Sequence, residues 1–217
     1  IIKKHKKVIA YIVPTSTKIS ENFTINLSKL NDLQQSNPLL QIIEINNVTQ
    51  CNIPKSAIIL DGIFGIGLNK NITGISKDCI RSINDNPAIT VAIDIPSGLY
   101  ADKPIDAEST VIKAHKTISF QFPKLTFLCA ENEEFTGDVN IIDIGLSKEF
   151  EENSPSPYYF TQKSDIELQN RKLFSHKGNF GHALLIAGSI GKIGAAILAS
   201  KACLKTGCGL LTTHVPK

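Results

Sequence analysis

Short runs of apolar, mostly β-branched residues recur along the first half of this chain, and segments of helical spacing lie between them. Such runs predict buried strands at residues 8–13, 40–45, 57–61 and 89–95. The helical segments cover residues 20–35, with Ser20 as a suitable N-cap, and residues 75–84. Because apolar strands that alternate with helices are typical of a parallel sheet covered on both faces, the pattern predicts an α/β fold.

The second half of the chain divides into a strand-rich section, a polar segment and a further α/β unit. The polar segment at 148–162 contains prolines and is typical of a linker. Strand-like runs before it lie at 111–112, 117–122, 126–130 and 139–144. After it come a strand at 182–186, a turn at 188–191, a helix at 193–205 and a strand at 210–214. We therefore predict a first domain over 1–150, a linker over 151–164 and the start of a second domain over 165–217.

Composition narrows the classes of partner. The 217 residues carry a net charge of only +3, and the longest apolar runs (VIAYIV, ALLIA) are too short to cross a bilayer. We therefore expect a small-molecule substrate, with no nucleic acid and no membrane. Five scattered cysteines without a CxxC pair favour free thiols in a reducing compartment such as the cytoplasm. The sequence contains no methionine, so we expect it to be a piece of a longer protein.

Two predicted strands, AIILD and VAID, end on a carboxylate, Asp61 and Asp94. Ligands of open parallel sheets bind beyond the carboxyl ends of the strands, so we expect both carboxylates to face one cleft. The glycines that follow Asp61 allow a tight turn whose N–H groups can face a phosphate or pyrophosphate. The alternative is that these glycines only connect a strand to a helix. The spacing is not the GxGxxG fingerprint of dinucleotide-binding proteins.

The sequence DIPSG, which contains Asp94, adds a hydroxyl at Ser97 to this edge. Ser97 and nearby backbone carbonyls could join Asp61 around a cation. Ligands that are all oxygen indicate a hard cation, and one carboxylate among neutral oxygens favours a singly charged one.

Three stretches resemble, in order and spacing, the NAD(P)H-hydrate epimerases over most of residues 1–147: DGIFGIGLNKNITG, VAIDIPSGLYAD, and TISFQFPK followed by GDVNIIDIGL. Members of that family are three-layer α/β/α proteins with a Rossmann-like sheet, and they interconvert the R and S forms of hydrated NADH or NADPH. The resemblance implies that Asp61 and Ser97 bind K⁺ and that Asp94 contacts the damaged cofactor near its reactive ring. It also implies a nucleotide-contacting turn formed by Gly65, Ile66, Gly67, Leu68, Asn69, Lys70 and Asn71.

The chemistry implied by the resemblance requires a proton to move, because a carbon that bears a hydroxyl must lose and regain its configuration. Asp94 is the candidate catalytic acid or base, since a carboxylate at a partly desolvated strand end suits that role. The alternative is that Asp94 only binds the ribose or the nicotinamide amide. The family's upstream loop, rich in asparagine and glycine, is absent here, which we interpret as truncation.

Residues 171–216 are similar to the opening of the ADP- or ATP-dependent NAD(P)H-hydrate dehydratases, which have a ribokinase-like α/β fold. The similarity rests on HKGNFG, ALLIAG, SIGKIGAA and TGCGLL. It implies that Ala195 lines a pocket for the hydrate and that the parent protein uses ADP or ATP. GSIGK is not a P-loop, because Ile186 and Ile193 stand where that motif needs glycine and a hydroxyl residue. Without the similarity, this stretch is equally well explained as a structural strand–turn–helix.

Three classes of function remain open at this level. The first is a bifunctional nicotinamide-nucleotide repair enzyme, which we expect to form a homo-oligomer. The second is a binding or assembly module that kept the epimerase fold, and such a module should lack the carboxylates at 61 and 94. The third is a dehydrogenase, which the irregular glycine turn disfavours.

Overall fold

The computed structural model describes residues 6–15, 20–106, 108–167 and 170–216. The chain divides into two compact units, Ile1–Tyr158 and Tyr159–Lys217. The break falls within the polar segment that the sequence marks as a linker.

The first unit is α/β, as predicted, and the strand pairs among its described residues are all parallel. A two-stranded sheet pairs β1 with β2, and a four-stranded sheet has the order β3-β4-β5-β6. The strands are β1 (Val8–Ile12), β2 (Leu40–Glu44), β3 (Ile58–Asp61), β4 (Ile89–Ile93), β5 (Lys116–Phe120) and β6 (Asp138–Ile142). The helices are α1 (Glu21–Ser36), α2 (Gly74–Asn84), α3 (Glu133–Thr136) and α4 (Lys148–Asn153).

The sequence explains where α1 begins and which face of α2 is buried. The hydroxyl of Ser20 accepts a hydrogen bond from the N–H of Phe23 (3.2 Å), so the predicted N-cap of α1 is confirmed. Helix α2 buries one face, at positions three, four and seven residues apart, which is the spacing of a single helical stripe. That buried face consists of Ser76, Cys79, Ile80 and Ile83.

The main core lies between α2 and one face of the four-stranded sheet. The other face of β3 and β4 carries exposed apolar side chains, such as Ile58 (68% exposed) and Ile89 (54%). The buried face and α2 share a cluster that comprises Ile59, Ile72, Ile80, Ile83, Ala88, Ala92, Ile112 and Ala114. A smaller cluster joins Ile95 and Leu99, in the loop that follows β4, to Val111.

Two strand predictions are wrong in the first unit. Residues 126–130 do not form a strand, since Leu125–Leu128 is a 3₁₀ helix. The buried Thr126 explains this, because its carbonyl and hydroxyl oxygens both accept hydrogen bonds from Asn132 Nδ2 (3.0 and 2.7 Å), and a local loop replaces strand pairing. Val111 and Ile112 are buried in a loop rather than a strand.

The second unit contains a parallel strand pair with one helix between its strands in sequence. Strands β7 (His182–Ile186) and β8 (Leu210–His214) have the predicted bounds, and α5 (Gly194–Lys205) begins one residue later than predicted. Among the described residues, no helix has the length and apolar character needed to cross a bilayer.

Candidate active site

The carboxyl ends of β3, β4 and β5 lie side by side in the four-stranded sheet. Asp61, the last residue of β3, is paired in register with Ala92 of β4, and Ile93 is paired with Ile118 of β5. Asp94 directly follows β4, and its N–H donates to the carbonyl of Ile118 (2.7 Å), which extends the pairing by one residue. Asp61 and Asp94 therefore occupy the same edge of the sheet, where open parallel sheets bind ligands.

Asp61 is held by the loop that follows β4. Its Oδ1 accepts a hydrogen bond from the hydroxyl of Ser97 (2.6 Å), and its Oδ2 accepts one from the N–H of the same residue (2.8 Å). The N–H of Ile63 also donates to Oδ1 (3.3 Å). Asp61 is 2% exposed and Ser97 is fully buried, so this carboxylate lies inside the protein. The expectation that it faces an open cleft is corrected, because the Ser97 loop covers it.

The electrostatic setting of Asp61 is that of a buried anion. Burial raises the pKa of its carboxyl above the ordinary value of 3.8, and the hydrogen bonds from Ser97 and Ile63 act in the opposite direction. No described lysine or arginine lies within ion-pair distance of it. Among the described residues, the negative charge of Asp61 is therefore stabilised by neutral hydrogen-bond donors.

Ser97 connects this carboxylate to the glycine turn. Its hydroxyl oxygen accepts a hydrogen bond from the N–H of Phe64 (2.8 Å) and lies 3.2 Å from the carbonyl oxygen of Phe64. The hydroxyl oxygen of Ser97 therefore lies within hydrogen-bond distance of two other oxygens, Asp61 Oδ1 and the carbonyl oxygen of Phe64, and no nitrogen or sulfur side chain is among these groups. This donor set suits a hard cation of low charge. The described residues contain no cluster of three His, Cys, Asp or Glu side chains of the kind that binds transition metals.

The glycine turn itself forms a shallow cavity of about 320 Å³, lined by residues 63–65 and 67–70. The N–H of Leu68 donates to the carbonyl of Gly65 (3.2 Å), which closes the turn. A Cβ atom at Gly65 or Gly67 would contact nothing within 4 Å, so the space above both residues is open. Of the predicted nucleotide-contacting residues, only Leu68 is half-buried, and these six are exposed: Gly65, Ile66, Gly67, Asn69, Lys70 and Asn71.

The far end of the turn is tied to Tyr100 and Ser109. Asn71 Oδ1 accepts hydrogen bonds from the hydroxyls of Tyr100 (2.8 Å) and Ser109 (2.9 Å). The ammonium of Lys103 lies 4.0 Å from the centre of the Tyr100 ring. The side-chain oxygen of Asn71 is therefore occupied by two hydroxyls of the protein, although the residue itself is exposed.

Asp94 adopts a left-handed backbone conformation, with φ of 67°, which is rare for a residue other than glycine. This conformation turns its side chain towards the end of β5. Its Oδ1 accepts hydrogen bonds from the hydroxyl of Ser119 (3.2 Å) and the N–H of Phe120 (3.1 Å). The ammonium of Lys124 lies 2.8 Å from the same oxygen. Strained backbone held in place by several contacts is common at functional sites.

The pairing of Lys124 with Asp94 is a feature that the sequence did not predict. The side chain of Lys124 is only 14% exposed, so the pair is largely shielded from solvent. Its position three residues after a second left-handed residue, Gln121 (φ 61°), explains why it points back at the strand ends.

Two other features of the first unit lie away from the carboxyl ends of the strands. His115 accepts a hydrogen bond at Nδ1 from the N–H of Thr90 (3.1 Å), so it has a structural partner within the sheet. A larger cavity of about 450 Å³ is lined by charged residues of α2 and of the segments before β3 and β4, among them Lys55, Asp78 and Arg81. This cavity therefore lies at the amino ends of the strands, opposite the carboxyl ends that carry Asp61 and Asp94.

In the second unit, Ala195 is the second residue of α5 and is exposed. The next residue, Ala196, is buried, and a Cβ atom at Gly188 would lie 3.6 Å from its methyl group. Small residues therefore allow the turn after β7 to approach the start of α5 closely.

These observations define an α/β protein whose ligand edge combines a glycine turn, a buried carboxylate–serine pair and an ion-paired aspartate. Residues 1–126 match the family described as YjeF-related protein N-terminus, and the chain belongs to that family.

Its relatives include bifunctional NAD(P)H-hydrate repair enzymes. The Moorella thermoacetica protein of that name is 33% identical over 166 residues, which cover 74% of this chain and 30% of the relative. The Dictyoglomus turgidum protein is 27% identical over 98% of this chain and 40% of the relative. The Leishmania major protein is 32% identical over 70% of this chain and 28% of the relative. The chain thus spans 28% to 40% of the length of these three relatives.

Proposed function

We propose that the first unit is an NAD(P)H-hydrate epimerase, which interconverts the R and S forms of hydrated NADH or NADPH. The observation that carries the proposal is the arrangement at one sheet edge: Asp94, ion-paired and in a left-handed conformation, lies beside the buried Asp61–Ser97 pair and the glycine turn. Membership of the family and the names of the relatives support the same assignment.

The glycine turn is assigned to binding the phosphates of the substrate. Its open space above Gly65 and Gly67 lets a ligand approach the backbone closely, and Lys70 adds a positive charge on the rim. The turn precedes α2, whose N-terminus favours an anion. The turn would therefore fix the nucleotide while the damaged ring extends towards the ends of β4 and β5.

Asp94 is assigned to the proton transfer. Inversion of a carbon that bears a hydroxyl requires one bond of that carbon to break and to re-form on the opposite face. A proton must be transferred when the bond breaks and transferred back when it re-forms. A positioned carboxylate that accepts a proton and returns it contributes typically about 10²–10⁴-fold to such a rate. The competing role for Asp94, binding the ribose or the amide only, predicts a change in KM rather than in kcat.

Asp61, Ser97 and the carbonyl of Phe64 are assigned to holding K⁺. A bound cation there would supply a positive charge that compensates the buried Asp61 carboxylate and would fix the Ser97 loop against the glycine turn. The protein's own contribution is the oxygen-only donor set described above.

For the full natural protein we propose a second activity, an ADP- or ATP-dependent dehydratase, for which Ala195 would line the hydrate pocket. The similarity of residues 171–216 to the start of that enzyme class supports this assignment, and so do the bifunctional names of the relatives. A homo-oligomer in the cytoplasm is part of the same proposal.

The test is the interconversion of R- and S-NADPH-hydrate by the purified full-length protein, followed by chromatography that separates the two forms. The proposal expects a pure sample of one form to equilibrate much faster than in buffer. A folded wild-type protein that binds the hydrate without accelerating its equilibration would favour the binding module instead. Retained nicotinamide absorbance that changes with an added hydride donor would favour the dehydrogenase.

A further inference from the structure

Lys124 forms the least exposed ion pair in the described part of the chain. Its side chain is 14% exposed and that of Asp94 is 16% exposed. The two other pairs, Lys113–Glu134 and Lys116–Asp138, have side chains between 44% and 73% exposed. Water therefore screens the Lys124–Asp94 pair less than it screens the others.

The hydrogen bonds of Lys124 are all directed inward. Its ammonium lies 2.8 Å from Asp94 Oδ1, and it donates to the carbonyls of Phe120 (2.8 Å) and Phe122 (3.3 Å). An ammonium has three N–H groups, so its donors are used by the protein itself. A phosphate contact by Lys124 would require at least one of these bonds to break.

The two oxygens of Asp94 have different surroundings. Oδ1 receives the ammonium of Lys124, the hydroxyl of Ser119 and the N–H of Phe120. Oδ2 accepts no hydrogen bond from the described residues, and it is not a buried atom. One oxygen of the carboxylate is thus anchored by three donors, and the other has no donor among the described residues.

We propose that Lys124 is a positioning residue that fixes the Asp94 carboxylate through Oδ1, so that Oδ2 is the atom that exchanges the proton with the substrate. This inference rests on the proposed epimerase function. Ser119 assists in the same way through its hydroxyl. Without the ammonium, Asp94 keeps only two weaker donors and gains freedom to rotate away from the productive orientation, and small misplacements of a reacting group lower rates strongly.

The test is a comparison of Lys124→Met, Lys124→Arg and Lys113→Met in the full-length protein, with kcat and KM measured for hydrate interconversion. Methionine matches the length and apolar stem of lysine and removes the ammonium, that is, its charge and its N–H donors. Lys113 offers a matched control, because its ion pair with Glu134 is exposed. We expect Lys124→Met to lower kcat by about 10- to 100-fold with KM changed less than about threefold. Lys124→Arg should recover part of the loss, and Lys113→Met should match the wild type.

A crystal structure of Lys124→Met gives a readout that does not depend on turnover. We expect the Asp94 carboxylate to leave the position in which it accepts from Ser119 and Phe120. If Lys124→Met does not fold, Ser119→Ala takes its place, with a smaller fall in kcat and the same unchanged KM.

Three results would overturn the inference: a wild-type kcat in Lys124→Met, a raised KM with unchanged kcat, or an Asp94 carboxylate that stays in place in the variant structure. The raised KM would assign Lys124 to substrate binding. A wild-type protein without interconversion would instead overturn the proposed function, and the variant structure would still decide whether Lys124 positions Asp94.

Discussion

Asp61 and Ser97 are joined by two hydrogen bonds, from the hydroxyl and from the N–H of the serine to the two oxygens of the carboxylate. These residues stand 36 positions apart, so the contact fastens the end of β3 to the loop after β4. The same hydroxyl oxygen also accepts a hydrogen bond from the N–H of Phe64, at the start of the glycine turn. One buried serine therefore connects the carboxylate, the loop that carries Asp94 and the proposed phosphate-binding turn.

If this pair holds K⁺, the cation should stabilise the folded protein. A ligand at 100 times its dissociation constant adds about 2.7 kcal/mol to the free energy of unfolding, so we expect Tm to rise with KCl above its value in N-methylglucamine chloride of equal ionic strength. Asp61→Asn should abolish the difference between the salts. Asp32→Asn, on the exposed surface of α1, is the matched control and should keep it. Equal Tm values for wild type in both salts would contradict the K⁺ assignment.

Asp61 should also impose a pH dependence on stability in buffers without K⁺. Burial raises its pKa above 3.8, so the folded state binds this proton more tightly than the unfolded state does. The contribution of Asp61 to the free energy of unfolding is thus most favourable below about pH 3.8 and is lost as the pH rises through the folded-state pKa.

The measurement is urea unfolding of the wild type and of Asp61→Asn between pH 7 and pH 3.5, without K⁺. We expect the free energy of unfolding of the wild type to rise relative to that of the variant as the pH falls. A difference that is constant with pH, or one that moves in the other direction, would show that the ionised carboxylate is better stabilised than its burial indicates.

Gly98 is a position at which any side chain should damage the fold. Its φ is +109°, and a Cβ atom there would overlap the backbone of Thr110 and Val111. We expect Gly98→Ala to lower the free energy of unfolding by about 2–4 kcal/mol. Gly74→Ala is the matched control, because Gly74 also has a positive φ (+64°) but open space around it, and a left-handed alanine costs about 1–2 kcal/mol. Equal losses in urea unfolding would show that the backbone moves to accommodate Gly98→Ala.

The sequence predicted those features of the fold that depend on local patterns. The apolar runs located β7 and β8 to the residue, and Ser20 located the start of α1. The strand-terminal aspartates correctly indicated a shared sheet edge, because parallel strands bring their carboxyl ends together.

The features that escaped prediction depend on distant contacts and on backbone conformation. A hydrogen bond from the side chain of Asn132 holds Thr126 in a 3₁₀ helix, although the sequence TFLCA alone predicts a strand. The left-handed conformation of Gln121 directs the chain so that Lys124 lies at the end of β5. Neither the glutamine nor its neighbours in the sequence indicate that conformation. The burial of Asp61 follows from a loop that starts more than thirty residues later, so its enclosure could not be read from the glycine turn.

Lys70 should contribute to binding rather than to turnover. It is exposed on the rim of the cavity formed by the glycine turn. We expect Lys70→Ala to raise KM by about tenfold, the value of one charge-assisted hydrogen bond to a phosphate, with kcat unchanged. The effect should shrink as salt increases, because exposed charges are screened. Lys29→Ala on α1 is the control. A fall in kcat at constant KM would place Lys70 in the reaction instead.

Asp94→Asn separates the catalytic role of Asp94 from its structural role. Asparagine has the same size, tolerates the left-handed backbone, and can still accept hydrogen bonds from Ser119 and Phe120 through its oxygen. It cannot accept a proton, so kcat for hydrate interconversion should fall by about 10²–10⁴-fold. Tm should fall less than in Asp94→Ala, because the hydrogen bonds are kept and only the charge of the pair with Lys124 is lost. Asp94→Ala should lose activity and also stability, because alanine must adopt a φ of 67° without these contacts. If Asp94→Asn keeps the wild-type kcat and raises only KM, Asp94 binds the substrate and the proton acceptor is another group at this edge.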